Sequence, residues 1–283
     1  PAIIYFIITK GTRYQNGWGI PMATDIAFSL GVASLLGKKF SVTMKVFLTA
    51  LAVIDDLGAI LIIAFFYSSH INIYFLLIAG IIIGLLFLLN RYKIKFGIGN
   101  FFLGILLWYC VFNSGIHATV AGVLFALMVP IEKLQQYEHA IHKFVNFIVL
   151  PLFALANTAI ILPDHMPSLV SSKLSIGIIT GLFLGKPIGI FFACWLMVKK
   201  KFAELPIGTT WHQVCGVGLL AGIGFTMSIF ITSLAFSNNT LQDTAKVAIL
   251  LAAVFSIVVA FIWMHLDPFK KKHHDRAKNE NVK

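Results

Sequence analysis

The sequence predicts an all-α polytopic membrane protein, and three observations support this fold class. Hydrophobic residues make up 59% of the 283 residues, and the mean hydropathy is +0.90, whereas soluble domains are about 45–50% apolar. Apolar runs of about 20 residues, long enough to cross a bilayer as helices, recur along nearly the whole chain. The basic residues behind the net charge of +11 lie between these runs rather than in one basic domain, which argues against nucleic-acid binding.

The apolar runs predict nine spans, preceded by half a helix at residues 1–9 that is too short to cross a bilayer. We therefore expect the chain to lack an N-terminal portion. Residues 1–267 form the predicted transmembrane domain, and residues 268–283 form a charged tail. The predicted spans are residues 18–36, 44–67, 71–90, 98–112, 116–130, 145–162, 174–198, 212–236 and 243–266.

The distribution of Lys and Arg residues predicts how these spans are oriented. Most of the 22 basic residues lie in alternate connections and in the tail, and Lys38, Arg91 and Lys200 are among them. The intervening connections carry few basic residues, such as Lys10 and Lys246. Because short cytoplasmic loops are enriched in Lys and Arg, we expect the C-terminus to be cytoplasmic.

Two of the predicted spans contain residues that interrupt helices. The first includes residues 17–25 (GWGIPMATD), and the second includes residues 216–228 (GVGLLAGIGFTMS). Unwound backbone inside a membrane is tolerated only where it is buried in protein or lines a watery cavity. A pair of interrupted spans is typical of a transporter's binding site. Alternatively, the glycines only permit close packing between helices.

Four ionisable residues lie deep in apolar sequence, namely Asp25, Asp55, Asp56 and Lys186. A charge at the bilayer centre costs at least about 2.5–3.5 kcal/mol, so each side chain must pair or face a cavity and is a functional candidate. Asp55 and Asp56 point about 100° apart on one helix. Two neighbouring buried carboxylates resist simultaneous ionisation. Such a pair can hold a proton and release it when a cation arrives.

The remaining groups of such a site are also visible in the sequence. Hard cations such as Na+ prefer oxygen ligands, and Thr24 and the carbonyl groups of a broken helix are candidates. Lys186 can pair with one carboxylate and titrate with it, or it can be a purely structural counter-ion. Asp25 can belong to the site, or it can only neutralise the N-terminal ends of a broken helix.

A second group of titratable residues lies near the ends of predicted spans and comprises His117, Glu138, His139 and His142. Histidine titrates near neutral pH, so this group predicts a pH-sensing cluster. The alternative for each residue is an interfacial side chain with no special role.

Four motifs together resemble those of bacterial sodium/proton antiporters of the NhaA type, and they occur in the order of that family. They are residues 23–28 (ATDIAF), 51–60 (LAVIDDLGAI), 185–187 (GKP) and 222–230 (GIGFTMSIF). The resemblance extends from Pro1 to about His265. It implies an inverted-repeat bundle in which two broken helices cross at mid-membrane. It also implies that this chain lacks about the first two and a half helices of the family.

The resemblance implies roles for the individual residues. Asp56 is the principal cation ligand, with Asp55 as its partner and Thr24 as a further ligand. Lys186 pairs with Asp55 and takes part in proton exchange together with both carboxylates. Electrostatic support at the broken helices is implied for Asp25, Gly222 and Gly224.

These roles imply a bacterial inner-membrane transporter that exchanges cytoplasmic Na+ or Li+ for external H+ by alternating access. The exchange is electrogenic, needs no cofactor and contributes to sodium and pH homeostasis. The resemblance implies pH regulation through Glu138, His139 and His117, although Gln136 and Tyr137 stand where the family has a basic partner. The transported ions and the lipid bilayer are the expected partners, and family members also form homodimers.

Two other functions stay open on the residues alone. Asp25 with Asp55 or Asp56 has the composition of an intramembrane aspartyl protease dyad, but Lys186 and the broken helices have no role in that chemistry. A sodium-coupled symporter of an organic anion would need a polar pocket beyond the cation site. Proton movement driven by a Na+ gradient distinguishes an antiporter from both.

Overall fold

Every regular element described in the computed structural model is a helix, and the described residues are 1–68, 71–94, 96–158, 169–206 and 208–266. The chain divides into two compact units. The first unit comprises Pro1–Asp56 together with Ile160–Lys283, and the second comprises Leu57–Ala159. The charged tail predicted at residues 268–283 lies outside the described residues.

The first unit begins with a short helix, which a broken helical span follows. Pro21 lies near the end of its first segment, and a proline cannot donate the amide hydrogen bond of a continuing helix. The backbone is extended at Ala23 and Asp25, and Asp25 then caps the next helix through the amide of Phe28. The segments before and after this extended stretch, Gln15–Met22 and Ile26–Leu35, are bent by 43° relative to each other. In chain order, the segments are α1 (Ala2–Thr9), a 3₁₀ segment (Gln15–Met22) and α2 (Ile26–Leu35).

Helix α3 (Val42–Phe66) begins in the first unit and ends in the second. The second unit continues through five helical segments with a π turn before the last. Apolar side chains of the first three segments form its core, including Leu86, Leu107 and Cys110. The segments are α4 (Ile73–Arg91), α5 (Ile98–Asn113), α6 (Thr119–Leu127), α7 (Ile131–Phe144), the π turn (Val145–Val149) and α8 (Leu150–Thr158).

The remainder of the first unit contains the second broken span. Two of its helices are bent by 47° at residues 222–224. A second π turn joins two helices into one 27-residue span, Lys173–Lys199. In chain order, the elements are α9 (Lys173–Thr180), the π turn (Gly181–Gly185), α10 (Lys186–Lys199), α11 (Trp211–Ala221), α12 (Phe225–Ala235) and α13 (Asn239–His265).

The protein is a multi-pass membrane protein. Five helices in the described ranges are long and apolar enough to cross a membrane, and seven spans result if each bent pair counts as one. Both predicted interruptions are therefore confirmed as breaks. The predicted spans at 98–112 and 116–130 correspond to helices of only 16 and 9 residues. Residues 145–157 of the span predicted at 145–162 belong to a helix that already begins at Ile131, and residues 159–162 lie outside the described residues.

The core of the first unit brings the two broken spans together. It contains apolar side chains from the region of α2 and from α3, α11 and α13, and Met44, Leu48 and Leu220 are completely buried in it. Helix α13 packs against α9, α11 and α12. Helices α10 and α11 approach so closely that a Cβ atom on Gly218 would lie 2.7 Å from the Cα atom of Pro187. Small residues permit such contacts between membrane helices.

Candidate functional site

Hydrogen bonds from main-chain and side-chain donors join the two breaks. The amide of Asp25 donates to the carbonyl of Ile223 at 2.7 Å. The hydroxyl of Ser228 donates to the carbonyl of Ile20 at 2.8 Å, and both groups are buried. The hydroxyl of Ser29 donates to the carbonyl of Leu220 at 3.0 Å. The breaks therefore cross in direct contact, and each satisfies part of the other's unpaired backbone.

Asp25 caps a helix on each side of this crossing. Its Oδ1 atom accepts a hydrogen bond from the amide of Phe28 in α2 at 3.0 Å. Its Oδ2 atom accepts hydrogen bonds from the amide and the hydroxyl of Thr226 in α12, at 3.0 and 2.5 Å. Because helix N-termini carry partial positive charge, a buried carboxylate is stabilised between them. The placement of Asp25 therefore fits an electrostatic role at the broken helices.

Lys186 forms an ion pair with Asp55 in the same region. The Lys186 ammonium contacts the Oδ2 atom of Asp55, and the two side chains are 4% and 25% exposed. Lys186 is the first residue of α10, directly after the π turn, while Asp55 lies on α3. The ammonium also donates to the hydroxyl of Thr24 at 2.8 Å. The pair is therefore supported by a third polar side chain from the first break.

The Thr24 hydroxyl connects this ion pair to the end of α11. Its oxygen lies 2.8 Å from the Oδ2 atom of Asp55 and 2.9 Å from the carbonyl oxygen of Ala221. A hydroxyl carries one proton, so it donates to only one of these acceptors at a time. Thr24 is completely buried. The Thr24 proton can therefore pair with Asp55 or with the backbone of the second break, but not with both.

Asp56 differs from Asp55 in its surroundings. Its Oδ1 atom is buried and has no hydrogen-bond partner among the residues that the structure describes. Asp56 also lies close enough to Asp25, Asp55 and Lys186 to interact with their charges. An unpaired buried carboxylate oxygen is costly, and a bound proton or cation removes that cost. Asp56 is therefore the carboxylate best placed to hold an exchangeable ion.

Gly222 and Gly224 lie at the crossing itself. A Cβ atom on Gly224 would lie 3.0 Å from the carbonyl oxygen of Ala23. A Cβ atom on Gly222 would lie 2.8 Å from both the carbonyl oxygen of Leu182 and the Oγ atom of Ser256. Both glycines therefore allow backbones to approach more closely than a side chain would permit.

The candidate pH-sensing residues belong to the second unit. His117 lies in the turn between α5 and α6, and its Nδ1 atom is 3.0 Å from the hydroxyl oxygen of Thr119. Glu138 and His139 are exposed on α7, where Gln136 and Tyr137 precede them.

Some of the residues proposed from the sequence lie together at the crossing. Direct contacts join Thr24, Asp55 and Lys186 there, and Asp25, Gly222 and Gly224 lie at the same place.

Sequence reasoning missed two groups at this site, namely the Thr226 side chain and the Ser256 hydroxyl. Thr226 lies in one of the predicted motifs, two positions after Gly224, but its hydroxyl donates to Asp25 of the other break, and the sequence gives no signal for that partner. The Ala221 carbonyl belongs to the broken-helix carbonyls predicted as candidates, although the sequence did not identify the residue. Ser256 is a small polar residue in an apolar helix, and composition alone does not distinguish it from neighbouring small residues.

The chain is similar in sequence to a known protein family and to several of its members. The profile of the family described as Na+/H+ antiporter 1 matches residues 1–264. The chain is 50% identical over 269 residues to "Na(+)/H(+) antiporter NhaA 2" of Flavobacterium johnsoniae, which covers 93% of this chain and 66% of the relative. It is 46% identical to "Na(+)/H(+) antiporter NhaA" of Cytophaga hutchinsonii, covering 94% of this chain and 70% of the relative.

A similar relationship holds for a third organism. The "Na(+)/H(+) antiporter NhaA" of Salmonella typhi is 44% identical over 273 residues, which cover 93% of this chain and 70% of the relative. The chain therefore spans about two thirds of the length of the relatives that it matches.

Proposed function

We propose that this chain, which belongs to the Na+/H+ antiporter 1 family, carries the ion-exchange site of a secondary antiporter. The antiporter moves cytoplasmic Na+ or Li+ outward in exchange for external H+. The observation that supports this best is the Lys186–Asp55 ion pair on Thr24, beside the unpaired oxygen of Asp56. One carboxylate is neutralised by the protein, and the other is left for an exchangeable ion.

Cation loading uses the oxygens at the crossing. Na+ and Li+ are hard cations that prefer oxygen ligands. Asp56 provides the first ligand, because its Oδ1 atom makes no hydrogen bond with the described residues. Asp55 provides a second ligand once it separates from Lys186, and Thr24 lies 2.8 Å from the same Asp55 oxygen. The cation thus replaces Lys186 as the counter-charge of Asp55.

Proton loading restores the ion pair. One proton binds Asp56, and one binds Lys186 so that its ammonium can pair with Asp55 again. Protons and cation therefore compete for one set of groups, and more protons than cations move per cycle. The exchange is consequently electrogenic. The two loading states favour opposite-facing conformations of the broken helices, which gives alternating access.

The setting of this exchange is part of the proposal. The protein lies in the bacterial inner membrane with a cytoplasmic C-terminus, functions in sodium and pH homeostasis, and forms a homodimer. Regulation by pH involves Glu138, His139 and His117 of the second unit. Glu138 and His139 lie next to each other at exposed positions on α7.

The decisive experiment replaces Asp56 in the protein that contains this chain, reconstituted in proteoliposomes. Asp56→Asn should abolish proton movement driven by a Na+ gradient, because an amide cannot hold an exchangeable proton. Asp243→Asn is the matched control, since Asp243 lies at the start of α13 and pairs with Lys246 at 3.5 Å. Its exchange should equal that of the wild type. Normal exchange by Asp56→Asn would refute the site assignment.

The same vesicles test the finer parts of the proposal. A potential imposed across the membrane should change the exchange rate, and a rate independent of potential contradicts electrogenic exchange. Li+ should replace Na+ as the driving ion. The rate should change steeply with pH near neutrality, and a flat pH profile contradicts regulation. Size measurement of the purified protein in detergent tests the homodimer.

A further inference from the structure

Ser256 is a buried hydroxyl without a hydrogen bond at the crossing. It lies on α13, is completely buried, and its Oγ atom has no partner among the described residues. A serine within a helix ordinarily donates to the carbonyl one turn earlier, and leaving a buried hydroxyl unpaired is costly. The hydroxyl of Ser256 therefore lacks, in this conformation, the hydrogen bond that its burial favours.

A carbonyl group that the π-turn register leaves without a donor lies near this hydroxyl. Leu182 belongs to the π turn Gly181–Gly185, in which a carbonyl accepts a hydrogen bond from the amide five residues later. The residue five positions after Leu182 is Pro187, which has no amide hydrogen. The register of the π turn therefore provides no donor for the carbonyl of Leu182. Four residues after Leu182, the same segment presents Lys186 to Asp55.

Gly222 of the second break lies close to both groups. The Oγ atom of Ser256 and the carbonyl oxygen of Leu182 both lie 2.8 Å from the position that a Cβ atom on Gly222 would occupy. Donor and acceptor, which belong to two different elements, thus both lie against Gly222. Movement of the break at Gly222 would therefore change the surroundings of both groups.

We propose that Ser256 is a positioning residue that donates a hydrogen bond to the Leu182 carbonyl in the second state of the exchange cycle. The inference rests on the proposed antiport. Movement of the break at Gly222, against which both groups lie, lets the bond form between α13 and the π turn. The bond then holds the segment that carries Lys186 while Asp55 is released to the cation. Ser256 thereby couples movement of the break to the position of Lys186 without touching the ion.

The test is Ser256→Ala in the protein that contains this chain. In the conformation described here the variant loses only an unpaired hydroxyl, so its melting temperature should rise by about 2–4 °C. The second state loses a hydrogen bond, so kcat for Na+-driven exchange should fall about fivefold. The KM for Na+ should stay unchanged, because Ser256 does not contact the cation. A residue that only stabilised the fold would change neither kinetic parameter.

Ser29→Ala is the matched control, because Ser29 is equally buried at the same break but already donates to Leu220. Its melting temperature should fall. A fall for Ser256→Ala, or an unchanged kcat in that variant, would overturn the role of Ser256. Absence of exchange in the wild type refutes the antiport itself, whereas wild-type exchange at an unchanged kcat in Ser256→Ala refutes only this inference.

Discussion

The three carboxylates at the crossing have different surroundings. Lys186 neutralises Asp55, and the two helix N-termini that meet at Asp25 stabilise a third carboxylate. Asp56 is left with an oxygen that no described residue satisfies. Because an unpaired charge is far more costly in a buried site than in water, the proposed exchange has Asp56 bind either a proton or a cation. The proposal rests on the different surroundings of these neighbouring carboxylates.

At the scale of single residues, we predict that Lys186→Ala destabilises the protein because Asp55 loses its partner. Removing one member of a buried ion pair costs about 3–5 kcal/mol. We expect a loss of about 3 kcal/mol, because Asp55 is 25% exposed. A second change, Asp55→Asn, should recover part of the loss by removing the stranded charge. Melting temperatures of the purified variants in detergent provide the measurement.

The Lys246–Asp243 pair provides the comparison for this prediction. Its side chains are 14% and 33% exposed, and the two residues lie three positions apart on α13. Breaking an ion pair that water can reach costs less than about 1 kcal/mol. Lys246→Ala should therefore melt close to the wild type. Equal melting temperatures for Lys186→Ala and Lys246→Ala would contradict the importance of the buried pair.

At the scale of helices, close backbone contacts set the position of each broken span. Helix α11 packs against α10 with Gly218 facing the backbone of Pro187, and it ends where Gly222 meets the π turn. A π turn and a proline lie directly around Lys186. Irregular backbone is tolerated in membranes only where protein or a cavity surrounds it. Both breaks and the π turn before Lys186 therefore lie at one place, which is the candidate site.

Gly218→Ala tests this packing. The added Cβ atom would lie 2.7 Å from the Cα atom of Pro187, and backbone cannot move aside as a flexible side chain can. We expect a loss of about 1–3 kcal/mol, as for overpacked cores, and slower exchange. Gly31→Ala in α2 is the control, because a Cβ atom there meets nothing within 4 Å. A melting temperature of Gly218→Ala equal to that of Gly31→Ala would contradict the predicted clash.

At the scale of the whole molecule, the chain carries its orientation in its basic residues. Lys200 follows α10 in a connection rich in Lys, whereas Ser237 lies in the connection between α12 and α13, where basic residues are rare. An excess of Lys and Arg in short loops marks the cytoplasmic side. The two connections should therefore lie on opposite sides of the membrane.

Labelling of single cysteines checks this orientation. In a variant without Cys110, Cys194 and Cys215, Ser237→Cys should react in intact cells with a thiol reagent that cannot cross membranes. Lys200→Cys should react only after the membrane is opened, because its loop is expected to be cytoplasmic. Both positions are exposed. The reverse pattern would invert the topology and the direction of transport.

Much of the fold and part of the site were predictable from the sequence. The cost of moving charge and unpaired backbone into lipid is local, so the apolar spans, the two breaks and the four buried ionisable residues were all visible. Helix ends were harder to predict: the helix that begins at Ile131 includes the polar segment of α7, because backbone hydrogen bonds continue from α7 through the π turn into α8.

Only the tertiary structure decided which groups meet. Lys186 pairs with Asp55, 131 residues away in sequence, while the adjacent Asp56 is left with an unpaired oxygen. Asp25 caps α12 as well as its own helix, and Ser256 and Leu182 both lie against Gly222. The sequence determines that a buried charge needs a partner, because each charged side chain loses its own hydration when it is buried. The identity of the partner depends on which distant helices pack together, and that packing is a property of the whole chain.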